Sequence, residues 1–201
     1  DSEPFWQQAQ IDVLKELGVE ITVEECEQTM GLRIDALVAH WYARHRWEGP
    51  GIEETASTIV GRVASHVMLS GVAKEGVLDA LNIIADQGLA IGLATSSPMA
   101  LVNAVLARLE IGHYFSICHS AEFEEYGKPH PAVYLQTAVQ MGFHPKECIA
   151  IEDSFNGLLA AKAATMKTIV IPEAIQANNP HFSIADIRLS SLSELTVEHL
   201  M

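Results

Sequence analysis

Apolar residues recur at helical spacing over the first 70 positions, and after Gly71 the pattern changes to short apolar runs alternating with helical stretches. In the first part, Ile11, Leu14 and Leu17 share one face of a 3.6-residue period. Leu37, Val38 and Trp41 do the same, as do Ile59, Val63 and Val67. The spacing predicts a first helix over 2–17, with Ser2 as its cap, Pro4 in its first turn and Gly18 as its stop. Thr22-Val23-Glu24-Glu25 fits a capping box and opens a short second helix ending near Gly31. A third helix is expected over 34–46, and a fourth over 52–69 after the Gly49-Pro50-Gly51 break.

Beyond Gly71 the pattern predicts helices over 74–87, 98–109, 132–141 and 157–164, and strands over 90–94, 114–118, 148–151, 168–171 and 187–189. Strands alternating with helices argue an α/β fold, with a parallel sheet covered on both faces. The expected organisation is a helical unit at 1–70 placed before an α/β core at 71–201.

Composition narrows the partners. The 201 residues are enough for one substantial core, and 49% hydrophobic with 19% charged is an ordinary globular balance. A formal net charge of -14 argues against a nucleic-acid backbone or an anionic membrane as partner. It leaves room for a small phosphorylated molecule, because a metal ion and one or two local cations outweigh a distant field. Cys26, Cys118 and Cys148 are odd in number and lack a CxxC spacing, and Cys148 lies in the apolar strand, so buried thiols in a reducing cytoplasm are expected rather than disulfides or zinc. No run is long enough to be a membrane helix.

The chemistry gathers at predicted strand ends. The run Cys148-Ile149-Ala150-Ile151 stops at Glu152-Asp153 and then Ser154-Phe155-Asn156-Gly157. Open α/β sheets bind ligands at that carboxyl edge, and a carboxylate pair there can seat a hard cation such as magnesium. The alternative is that Asp153 simply caps the following helix. Thr95 and Ser96 end another strand just before a helix, an arrangement suited to an anion, although such residues also start helices routinely. Lys128 lies between Gly127 and Pro129 on a stiffened loop, either as solvated surface or as a fixed cation. Hydroxyl, lysine and carboxylate pair in that order are more specific than any one of them.

Leu93-Ala94-Thr95-Ser96-Ser97, Gly127-Lys128-Pro129 and Glu152-Asp153-Ser154-x-Asn156-Gly157 together resemble the second to fourth motifs of the haloacid dehalogenase superfamily of phosphohydrolases. Asp1-Ser2-Glu3-Pro4 resembles the tail of that family's first motif, and the helical stretch to about residue 70 resembles its small cap. Gly31-Leu32-Arg33-Ile34-Asp35, Trp41-Tyr42-Ala43-Arg44 and the stretch from Leu189 to Thr196 are similar to bacterial hexitol and 2-deoxyglucose 6-phosphate phosphatases.

The resemblance implies attack by an aspartate on phosphorus, an aspartyl-phosphate intermediate, and Mg2+ as cofactor. It implies that Asp153 ligates the metal and Glu152 supports it. Thr95 and Ser96 would hold the phosphoryl oxygens, Lys128 would neutralise the transferring group, and Arg33 in the cap would touch substrate. The expected partner is a small phosphorylated sugar or hexitol, and the expected protein a cytoplasmic monomer. The Asp-x-Asp-Gly of the first motif, with nucleophile and acid/base aspartates, is not present in the sequence. The expectation is therefore a fragment of an active enzyme whose strands at 90–94 and 148–151 lack a shared central neighbour. A chain truly beginning at Asp1 is expected to be inactive and unstable. Leu69-Ser70-Gly71 stands where the family reads Leu-Pro-Gly at the return from cap to core. A β-phosphoglucomutase-like phosphomutase and an inactive ligand-binding member remain as alternatives.

Overall fold

The computed structural model describes residues 2–173 and 176–201. Asp1, which the resemblance to the first motif includes, lies outside the described residues.

The helical part consists of α1 (Glu3–Glu16), α2 (Val23–Cys26) continued by a 3-10 turn, α3 (Ile34–His45) and α4 (Ile52–Ser70). Its core is the set the periodicity selects: Leu14, Val38, Trp41, Ile59 and Val63 are buried together. Two polar groups are buried with them and satisfied: Thr29 Oγ1 and Trp41 Nε1 both donate to Gln10 Oε1, at 3.2 and 3.1 Å. The Thr22 capping box is present, with Glu25 N–H on the Thr22 hydroxyl and the Glu25 carboxylate on Thr22 N–H. Ser2 makes no side-chain cap; α1 begins on Pro4 in its first turn instead. This helical cluster is not self-contained, because Leu101 is buried in it.

The remaining elements are α5 (Val77–Asp86), β1 (Ile91–Thr95), α6 (Met99–Leu109), β2 (Phe115–Ser120), α7 (Ala132–Met141), β3 (Ile149–Glu152), α8 (Phe155–Ala163), β4 (Lys167–Val170) and β5 (Ile187–Arg188). Every strand pair is parallel, as the alternation predicts. Among the described residues the strands divide into two sheets, β1-β2 and β3-β4-β5, rather than one. β1 and β3 do not pair with each other. The carboxyl ends of the two sheets still converge, because the loop carrying Lys128 reaches both: its Nζ donates to Glu152 Oε1 after β3's apolar run and to Ala94 O in β1.

α4 closes at Ser70 and Gly71 follows it, so near the preceding turn that a Cβ there would lie 2.6 Å from Val67 O. A second close approach is at Gly76, which has φ +78° at the start of α5 and packs directly against the backbone of Leu192 and Ser193. A side chain there would meet main chain and strain the backbone as well. No helix among the described residues is long and apolar enough to cross a membrane. The three cysteines are free; Cys26 is buried as expected, whereas Cys118 and Cys148 are partly exposed rather than buried.

Candidate active site

At the end of β3 the backbone sends two adjacent carboxylates to opposite environments. Strand residues alternate sides. Glu152 turns inward, with 9% of its surface exposed. Gly157, in the first turn of α8, lies so close that any Cβ there would fall within the Glu152 carboxylate. Glu152 Oε1 accepts from Lys128 Nζ and from the Tyr134 hydroxyl. Oε2 accepts from the N–H groups of Asp153 and Ser154 at 3.2 Å each and from the Ser154 hydroxyl at 3.1 Å. Burial alone would raise its pKa. The Lys128 ammonium and the bonds from Lys128, Tyr134 and Ser154 overcome that and hold it below the usual carboxylate range.

Asp153 faces the other way, with 58% of its side chain exposed. Its nearest cation is Lys74, whose Nζ lies 4.0 Å from Oδ2 and is also paired with Glu173. Its recessed place in the cleft, and then the charge on Glu152, raise its pKa; Lys74 and Lys128 partly offset this. Asp153 is not the cap of α8. Ser154 is, its hydroxyl accepting from Gly157 N–H at 3.0 Å. The capping alternative is thereby met by the neighbouring residue, which leaves the Asp153 carboxylate directed to the cleft.

Lys128 is 8% exposed, and the Lys128–Pro129 peptide is cis. Besides Glu152, its Nζ reaches Tyr134 Oη at 3.3 Å and Ala94 O at 3.4 Å, and it stands 4.8 Å from the centroid of the Tyr134 ring. Thr95 ends β1, and its Oγ1 accepts from Ser97 N–H at 3.0 Å, which fixes the turn into α6. Ser96 Oγ donates to Gly31 O at 3.4 Å, so the helical part touches the sheet edge at this point. Gly31 packs over Ser154, 3.4 Å from where its Cβ would lie, with φ +75°.

Thr95, Ser96, Lys128, Glu152 and Asp153 line one cavity of about 520 Å³, roofed by residues such as Trp6 and Leu32 of the helical part. That is a volume for a small organic phosphate. Arg33 is placed differently from the expected substrate contact, and it does not line this cavity. Its Nε and Nη2 grip Asp35 at 2.7 and 2.6 Å, and its Nη1 donates to Ala121 O at 3.0 Å and Glu124 O at 2.6 Å. The fork is consumed in joining the start of α3 to the loop after β2. That loop is itself fixed by Glu124 Oε1 on His119 Nε2 at 2.6 Å.

Sequence reasoning missed Tyr134, Lys74 and Glu173. Tyr134 reads as an ordinary core residue of α7, and Lys74 and Glu173 are 99 positions apart. No sequence pattern announces either grouping.

The donor chemistry suits a hard cation that keeps part of its water. Asp153 offers an anionic oxygen open to the cleft, whereas both oxygens of Glu152 are already taken. Among the described residues no three His, Cys, Asp or Glu side chains are grouped to hold an ion by themselves. Such an ion would share its shell with water and a ligand's phosphate.

The family model for haloacid dehalogenase-like hydrolases matches residues 1–165. Hexitol phosphatase B of Escherichia coli (strain K12) is 43% identical over 202 aligned positions, covering 100% of this chain and 91% of that protein. The crystal structure of CbbY from Rhodobacter sphaeroides in complex with phosphate superposes with a TM-score of 0.90 at 22% identity, over 100% of this chain and 93% of the other. A β-phosphoglucomutase from Clostridium difficile does so with a TM-score of 0.85 at 22% identity, over 100% and 89%. At that identity the two structures speak for the fold alone.

Proposed function

The chain belongs to the haloacid dehalogenase-like hydrolase family, and from that premise we propose that it is a phosphatase of small sugar or hexitol phosphates. The observation that carries this reading is the meeting of Thr95, Lys128 and Asp153 around one cavity, in a chain 43% identical throughout to a hexitol phosphatase. In this reading the helical residues up to Ser70 form a cap that closes over the sheet edge and excludes water. We place the enzyme in the cytoplasm, acting as a monomer.

Each residue has a separate task. The Thr95 hydroxyl and the N–H groups entering α6 bind the phosphoryl oxygens. Lys128, held fixed and largely out of water, stabilises the negative charge that develops on those oxygens. Asp153 would hold a magnesium ion, which offsets the charge of the phosphate when bound. Glu152 does not compete for the ion, because its oxygens hold Lys128 and the start of α8. The family's attacking aspartate is not among the 201 residues, and no residue here is given its role.

The test is phosphate release from a panel of hexitol 6-phosphates and 2-deoxyglucose 6-phosphate with magnesium, by the protein as its gene encodes it. Rapid release without a bisphosphate activator is the expected result. Conversion of a hexose 1-phosphate to the 6-phosphate with no free phosphate would instead identify a phosphomutase.

A further inference from the structure

Beside the directly paired Lys128 and Glu152 stands a third group, which the reaction as described does not use. Tyr134 is 6% exposed in the first turn of α7, six residues after Lys128. Its hydroxyl is placed to do two things at once. It donates its proton to Glu152 Oε1, the oxygen that also takes the Lys128 ammonium, and it accepts from Lys128 Nζ at 3.3 Å. The ring meanwhile backs the ammonium, with its centroid 4.8 Å away, within cation–π range. A lysine has three donors and a long flexible stem. Glu152, Tyr134 and Ala94 O surround the ammonium, the last two only at 3.3 and 3.4 Å, so the stem is fixed while the ammonium stays at the edge of the cavity, where a phosphoryl oxygen can replace one of the long contacts.

We propose that Tyr134 is a positioning residue for phosphoryl recognition: its hydroxyl and ring hold the Lys128 ammonium against Glu152 and aimed at the cavity. This rests on the phosphatase reading for its consequence in turnover, but the geometric claim concerns anion binding and stands apart from it. Burial, and then the Glu152 charge, raise the phenol's pKa well above its ordinary value. The hydroxyl therefore stays a donor across the working pH range, and the polarity of the three-way contact does not invert.

Tyr134→Phe is the discriminating variant, since it removes the oxygen and keeps the ring and the packing volume. Tyr134→Leu removes the ring as well. With the protein as encoded, three quantities are read: the Kd for inorganic phosphate, kcat and KM for a hexitol phosphate, and the thermal midpoint. In Tyr134→Phe we expect phosphate affinity to weaken by roughly 3–10-fold, KM to rise by a similar factor and kcat to fall by about tenfold, as for an interaction made in the ground state and strengthened in the transition state. Tyr134→Leu is expected to be weaker still on both counts. A purely structural tyrosine would lower the midpoint and leave phosphate affinity and kcat per folded molecule unchanged, and that result overturns the proposal. If the wild-type protein turns over no phosphoester, the phosphatase reading fails. The phosphate affinities then decide the positioning role by themselves: equal Kd values in wild type and Tyr134→Phe reject it.

Discussion

Glu152 and Asp153 are neighbours in sequence, carry the same charge and leave the same strand, yet the structure treats them in opposite ways. Glu152 is enclosed by Lys128, Tyr134, Ser154 and the glycine of α8, and its pKa is lowered. Asp153 stands in the cleft beside other carboxylates, and its pKa is raised. One side has been completed by the fold; the other has been left for a ligand to complete. A buried charge is tolerable only with such completion. Conversely, a carboxylate kept short of partners in a cavity marks a place where function is bought with local instability.

The contrast breaks most visibly on the Glu152 side. Lys128→Met removes the principal counter-charge and leaves a buried carboxylate, so it is expected to cost about 3–5 kcal/mol in urea unfolding. The same variant should lower kcat by about 10²–10³-fold, the size expected for loss of one fixed oxyanion partner. Gly157→Ala comes next, because the new methyl would collide with the Glu152 carboxylate. A destabilisation of about 1–3 kcal/mol is expected, as for overpacking elsewhere. Equal stability of Gly157→Ala and wild type would show that Glu152 is not locked where we place it.

The Asp153 side responds to pH instead. Glu3 belongs to this crowded group: burial, then the charges of Asp153 and Glu173, raise its pKa to about 7 from its ordinary value of 4.5. Between those two values the unfolded chain binds fewer protons than the folded one, so stability falls as pH rises through that window. The thermal midpoint of wild type should therefore drop relative to Glu3→Gln on going from below pH 4.5 to above about 7, by a few degrees, and the two should track each other at lower pH. The smallest effect is expected for Asp153→Asn, which removes a poorly compensated charge. Its stability should lie within about 1 kcal/mol of wild type, with any shift towards greater stability.

The same contrast explains what could be read from the sequence. The helix faces, the Thr22 capping box and the alternation after Gly71 are set by local spacing, and they appear where expected. Thr95, Ser96, Lys128 and Asp153 stand out in the sequence because strand ends are recognisable, and the fold brings them to one cavity. Three features depend on contacts between distant segments and were not legible. Tyr134 has the helical phase of a core residue, and only Glu152 arriving 18 positions later gives its hydroxyl a task. Arg33 looked like a substrate contact, but carbonyl oxygens 88 and 91 positions away use its Nη1. Gly76, five positions beyond Gly71, carries no signal in the sequence, and only the close backbone of Ser193 requires a glycine there. Ser154 in place of Asp153 as the cap of α8 is a smaller instance: both residue types suit the position, and the turn decides between them.

The division of labour between the two carboxylates is tested most directly by the magnesium dependence of phosphate release in wild type, Asp153→Asn and Tyr134→Phe, using the protein as encoded. We predict that Asp153→Asn loses turnover, or needs at least about tenfold more magnesium, while Tyr134→Phe lowers kcat with an unchanged magnesium midpoint. Near-normal turnover and an unshifted magnesium midpoint in Asp153→Asn would contradict the account.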